Sequence, residues 1–138
     1  MTTLVIDASV TLGWYFPEET NPTTEAARRH FATNSAIAPG LWWFEIRNAL
    51  IVGERRGRID ATQTAEILAQ LDALPIHLDR TPNGSAILAL ARAHRLTFYD
   101  AAYLELARRL DVPLATLDRQ LATAARAAAV PLLGAEQT

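Results

Sequence analysis

Four acidic residues occupy places where a charge is costly. Asp7 closes the apolar run 4–6, Asp118 closes 114–117, Glu45 interrupts the aromatic-rich stretch 41–46, and Asp100 lies inside Phe98-Tyr99-Asp100-Ala101-Ala102-Tyr103. A carboxylate in apolar surroundings needs a hydrogen-bonding partner or a cation. Several gathered together raise one another's pKa unless positive charge neutralises them. Asp79 closes the run 76–78 in the same manner, and spacing alone leaves open which of the three strand-end aspartates share a site. Each acid taken singly has an ordinary structural use, as a turn former after a strand or as a complement to the dipole of a first helical turn. Taken together, oxygen donors without a Cys or His cluster suit Mg²⁺ or Mn²⁺, which bind through a few carboxylates and keep several waters. Such ions activate water and stabilise the leaving oxygen in phosphodiester hydrolysis. Asn48, three residues after Glu45, shares its helical face and is placed to hydrogen-bond that carboxylate or a metal-bound water.

Other chemistries find less support. His30, His77 and His94 show neither ligand spacing nor a nucleophile to pair with, so they read as surface or packing residues and offer no acid and base for a metal-free nuclease. The absence of cysteine excludes disulfides, thiolate catalysis and Cys-ligated zinc, and fits a reducing compartment. A net charge of −2, with all 13 basic residues arginine, argues against gripping nucleic acid through a basic surface alone. Bound cations must help if RNA is the substrate. A receiver domain would need a lysine that this chain lacks, and a haloacid-type phosphatase would need an aspartate where Ser9 stands.

The elements that must carry these acids follow an α/β rhythm. Short apolar runs at 3–6, 36–38, 75–78, 113–117 and 130–133 read as strands. Helix starts are marked by Asn21 before Pro22, by Asp60 with Gln63, by Thr81 before Pro82 and by Thr97, while Gly57 stops the third helix. The helix 97–110 places Asp100 in its first turn, with Tyr99, Tyr103, Leu106 and Leu110 on one apolar stripe. The alternation predicts a mainly parallel sheet with helices on both faces, whose active site lies beyond the carboxyl ends of its central strands. The 138 residues, half of them hydrophobic, form one domain over 1–138. Met1 to Val5 carry no basic leader, and no apolar run approaches the roughly 20 residues of a membrane span. The expected protein is soluble, neither secreted nor anchored, and cytoplasmic.

Four stretches, Val5-Ile6-Asp7-Ala8-Ser9, Glu45-Ile46-Arg47-Asn48-Ala49-Leu50, Tyr99-Asp100-Ala101-Ala102-Tyr103 and Leu114-Ala115-Thr116-Leu117-Asp118, resemble in motif and order the PIN-domain family. The likeness is to the VapC toxins of type II toxin-antitoxin pairs in particular. This resemblance implies a three-layer α/β/α fold with a parallel sheet of about five strands in the order 3-2-1-4-5, which makes Asp7 and Asp118 neighbours and leaves Asp79 outside. It maps Asp7, Glu45, Asp100 and Asp118 onto an acidic metal-binding quartet, with Ser9, Asn48 and Thr116 orienting carboxylates or metal waters. The implied activity is Mg²⁺- or Mn²⁺-dependent endoribonuclease action. In it Asp7, Asp100 and Asp118 ligate one ion, Glu45 holds a second or activates water, and the products carry 5′ phosphate and 3′ hydroxyl ends. A cognate VapB-like antitoxin and a homodimer are implied as partners. The competing reading is a catalytically inactive member of the same fold that binds RNA or protein. A flap or 5′ DNA nuclease would need end-gripping elements for which there is little room.

Six of the ten aromatic residues fall in two triplets, Trp14-Tyr15-Phe16 and Trp42-Trp43-Phe44. Consecutive helical residues are about 100° apart, so a helical triplet spans more than one core-facing stripe. A partner covering part of it and a core that surrounds it are equally open readings. Arg47, Arg55, Arg56, Arg58, Arg92, Arg95 and Arg119 are mostly solvated surface. Arg119, directly after Asp118, is the exception expected to contact RNA or antitoxin, or to pair with Asp118.

Overall fold

In a computed structural model, which describes residues 3–16 and 21–134, the elements follow in the order β1 (Thr3–Ile6), α1 (Ala8–Gly13), α2 (Pro22–His30), β2 (Ser35–Pro39), α3 (Leu41–Arg55), α4 (Ala61–Asp72), β3 (Ile76–Asp79), α5 (Gly84–His94), α6 (Phe98–Leu110), β4 (Leu114–Ala115) and α7 (Arg119–Ala127). The strands are all parallel, in the order β3-β2-β1-β4. Parallel strands buried on both faces must be apolar throughout, and Leu4, Val5 and Ile6 of central β1 are almost fully enclosed. Helix α6 lies across β1, β2 and β4 with α5 and α7 beside it, while α3 packs on β2 and gathers α1 and α4. Among the described residues no helix is long and apolar enough to cross a membrane.

Local signals placed the starts of α2, α4 and α6. Asn21 accepts from the Thr24 amide in a capping box with Pro22 at the first position, and Asp60 does the same with Gln63. Helix α3 ends before Gly57, whose φ of +72° suits a residue without Cβ. Helix α5 starts later than expected: Asn83, not Thr81, is its cap, accepting from the Ala86 amide, while the Thr81 amide turns back to Asp79.

The sheet has four strands rather than five. Residues 130–133 make only a single bridge, Leu114 to Leu132, although they lie beside β4 where a fifth strand belongs. Pro131 accepts from the Leu114 amide but has no N–H of its own with which to extend a ladder. Strand β4 also ends two residues early, at Ala115. Its next polar groups are engaged elsewhere: the Leu117 amide donates to Ser9 and the Asp118 amide to Thr116. The expected stripe on α6 holds only at its middle. Tyr103 and Leu106 are buried, but Tyr99 is 64% and Leu110 40% exposed, because a helix enclosed by the sheet and its neighbours buries every residue from 101 to 107 and exposes only its ends.

Candidate active site

Asp7 leaves the carboxyl end of β1 and caps α1, its Oδ1 accepting from the Val10 amide at 3.1 Å and from Ser9 Oγ at 2.7 Å. The Thr116 hydroxyl donates to Oδ2. Each hydroxyl accepts in turn, Ser9 from the Leu117 amide at 2.9 Å and Thr116 from the Asp118 amide at 3.0 Å. Two relays of amide, hydroxyl and carboxylate thus tie the β1–α1 corner to the β4–α7 corner, and both run through Asp7. Burial nonetheless pushes its pKa up from 3.8 to about 6, against the Thr116, Ser9 and Val10 hydrogen bonds and with help from the charge of Glu45. The remaining three acids approach from other elements. Glu45, half-buried on α3, accepts from the Tyr103 hydroxyl of α6 at 2.5 Å. Asp100 stands in the first turn of α6, whose cap Thr97 accepts from the Asp100 amide. Asp118 caps α7, accepting from the Leu121 amide at 2.8 Å, with its side chain toward solvent.

The electrostatics link these residues in a row. Glu45 is raised by burial and then by Asp100, the Tyr103 hydrogen bond opposing; Asp100 is raised by burial and then by Asp118. Each acid therefore feels the next, from Asp7 through Glu45 and Asp100 to Asp118. Asp7, Glu45, Asp100 and Asp118 thus gather beyond the carboxyl ends of β1 and β4. Among the described residues no three of them close into a ready-made cage for an ion. The donor set still fits a hard divalent cation: carboxylates only, partly desolvated and mutually repelling, in the small numbers that suffice for an ion that keeps its waters.

Asp79 is elsewhere. It ends β3 at the sheet's edge, and its Oδ2 pairs with Arg109 at 2.7 Å; Arg109 also binds buried Glu105 at 2.7 Å. Asn48 is exposed on a separate groove beside Phe16 and Val52, and the partner expected of it for Glu45 is instead Tyr103. Sequence reading missed the Tyr103 hydroxyl by assigning the ring to an apolar stripe. The available signal was its position one helical turn after Asp100. Arg119 is exposed and forms no ion pair with Asp118 among the described residues. Of the aromatic triplets, Phe16 and Trp42 are core, and Trp42 Nε1 donates to Thr11. Trp14 is half-buried and donates to the Thr24 carbonyl, so the first triplet faces inward. Trp43 and Phe44 are exposed, Phe44 at 69%, and Arg47 stacks 3.8 Å over the Trp43 ring.

The PIN domain family model matches residues 4–127. Ribonuclease VapC3 of Pyrobaculum aerophilum is 36% identical over 123 residues, covering 86% of this chain and 92% of that protein. Ribonuclease VapC1 of Mycobacterium tuberculosis is 40% identical over 90 residues, 63% of this chain and 65% of that one. The crystal structure of PAE2754 from Pyrobaculum aerophilum superposes with a TM-score of 0.67 at 25% identity, covering 89% of this chain and 86% of that one.

Proposed function

We propose that this chain, which belongs to the PIN domain family, is an endoribonuclease that depends on Mg²⁺ or Mn²⁺ and serves as the toxin of a toxin-antitoxin pair. The observation that carries the reading is Asp7. A carboxylate buried at the carboxyl end of central β1, held on both oxygens by side-chain donors and raised to about 6 with Glu45 contributing, is the kind of perturbed group that gathers at functional sites. Relatives named as VapC ribonucleases supply the substrate class.

Asp7, Glu45, Asp100 and Asp118 would hold the cation. When bound, it supplies an activated water and charge neutralisation at the leaving oxygen. The chain's own residues do the positioning: Ser9 and Thr116 fix both oxygens of Asp7, Thr97 sets the helix end that presents Asp100, and the start of α7 presents Asp118. Arg119, exposed next to Asp118, would contact an RNA phosphate or the antitoxin. Exposed Trp43 and Phe44 form a surface for the antitoxin or a second copy of the chain, in keeping with the aromatic enrichment of interfaces. The reading places the protein in the cytoplasm, where its RNA is.

The test is incubation of partner-free protein with total RNA in Mg²⁺, Mn²⁺ and EDTA, beside Asp7→Asn, with the new ends mapped by sequencing. Discrete cuts that need both metal and Asp7, and that leave 5′ phosphate and 3′ hydroxyl ends, are expected. Ends bearing 2′,3′-cyclic phosphate would sink the mechanism. Metal binding by calorimetry without any cleavage would favour an inactive RNA- or protein-binding member of the fold.

A further inference from the structure

We infer that Tyr103 is the positioning residue for Glu45, committing one carboxylate oxygen to the protein and leaving the other alone to face the cation or its water. The inference rests on the metal-dependent reading above. Tyr103 is 2% exposed, and its hydroxyl meets Glu45 Oε1 at 2.5 Å across the junction of α3 and α6. It stands one turn after Asp100 on the same helix, so a single rigid element carries an acid of the site and the donor that orients another. The hydroxyl also lies within the fields of Asp7 and Asp100. Against a carboxylate, which has no proton to give, the hydroxyl is the donor.

Two consequences follow for Glu45. The short hydrogen bond takes one lone-pair site of Oε1 and fixes the plane of the carboxylate, so Oε2, with no protein partner among the described residues, is the oxygen best placed to engage the ion. A short hydrogen bond donated to the carboxylate also draws electron density from it and weakens it as a base. Of the two roles open to Glu45, ion or water ligand and proton acceptor, Tyr103 favours the first. The arrangement matches the general pattern in which partners behind a ligand fix its orientation.

The experiment measures Mn²⁺ affinity by calorimetry on the full chain without RNA, for wild type, Tyr103→Phe, Glu45→Gln, the double variant, Glu45→Asp and Asp7→Asn, with thermal melts in EDTA for each. Tyr103→Phe keeps the buried ring, and on the general scale for residues that orient metal ligands it is expected to weaken Mn²⁺ binding on the order of tenfold. In the Glu45→Gln background the same change is expected to add nothing, because Tyr103 acts through the Glu45 charge. Glu45→Asp keeps the charge on an arm too short to reach both Tyr103 and the ion, and is expected to lose a similar factor. This variant carries the test should Tyr103→Phe not fold. Unchanged affinity in folded Tyr103→Phe, additive effects in the double variant, or wild-type affinity in Glu45→Asp each overturn the inference alone. Failure of the wild type to bind Mn²⁺, or equal binding by Asp7→Asn, overturns the metal site itself and this inference with it.

Discussion

The Asp7 carboxylate is expensive to the fold. Its pKa in the folded chain, about 6 against 3.8 for an exposed aspartate, means that the folded state holds the proton more tightly. The stability contributed by that proton is complete below pH 3.8 and is lost as pH rises through 6, a difference of about 3 kcal/mol at neutral pH. Asp7→Asn keeps a side-chain oxygen for the Val10 amide and discards the charge. In EDTA at pH 7.5 this variant is therefore expected to melt several degrees above wild type, with the gap closing below pH 4, while RNA cleavage is lost. A melt no higher than wild type at pH 7.5 would show that the charge is not costly there. Thr116 is the converse case, since its hydroxyl both donates to Asp7 and accepts from the Asp118 amide. Thr116→Val should cost about 1–3 kcal/mol in urea unfolding, the usual penalty for leaving buried polar groups unpaired.

At the level of elements, the site is assembled near termini: the end of β1, the starts of α6 and α7, and the second turn of α3. Helix starts can orient acids precisely because caps are formed by the acids themselves or by residues three positions away. Asp118 therefore has two duties that substitution can separate. Asp118→Asn retains the bond from the Leu121 amide and is expected to unfold in urea as wild type does. Asp118→Ala loses the cap and about 1 kcal/mol of stability. Both should lose cleavage. If the two variants have equal stability, the side chain does not support α7. These caps were legible beforehand, since Asn21, Asp60 and Thr97 act within three residues of sequence. The start of α5 was less so, because Thr81 and Asn83 are both competent caps around Pro82 and the choice depended on where the Thr81 amide turned.

For the molecule as a whole, Asp7, Glu45 and Asp100 are all raised, chiefly by burial and further by a neighbouring carboxylate, with hydrogen bonds opposing. The sign is the same for all three: stability held at low pH is lost as pH climbs through each raised value. The metal-free protein should therefore melt higher at pH 5 than at pH 7.5, and Mn²⁺ should raise the melt most at the higher pH, where its ligands are ionised. Thermal scans across that range with and without Mn²⁺ decide it; a flat metal-free profile would contradict the shared burial of the acids. The outer face of α3 is a second whole-molecule matter. If a second copy of the chain docks on Trp43 and Phe44 as proposed, Phe44→Ser shifts sedimentation toward monomer without lowering the melt of the isolated chain, and an unchanged distribution would remove that face from the proposed dimer contact.

The runs that became β1 to β4, the caps of α2, α4 and α6 and the candidate acids were readable along the chain, because periodicity, capping and strand-end placement are properties of a few consecutive residues. The meetings that make the site were not. Thr116 reaches Asp7 across 109 positions and Tyr103 reaches Glu45 across 58, and both depend on sheet order and on how far each helix is rotated against its neighbours. The same holds for Asp79, equivalent to Asp7 and Asp118 in local pattern, which the edge position of β3 sends to Arg109 instead. A fifth strand was expected from the apolar run 130–133 and the family resemblance and did not propagate, because Pro131 beside a two-residue β4 has no amide to offer. Short-range hydrogen bonds and apolar spacing are encoded where they act; which charges end up facing one another is decided only when distant elements pack.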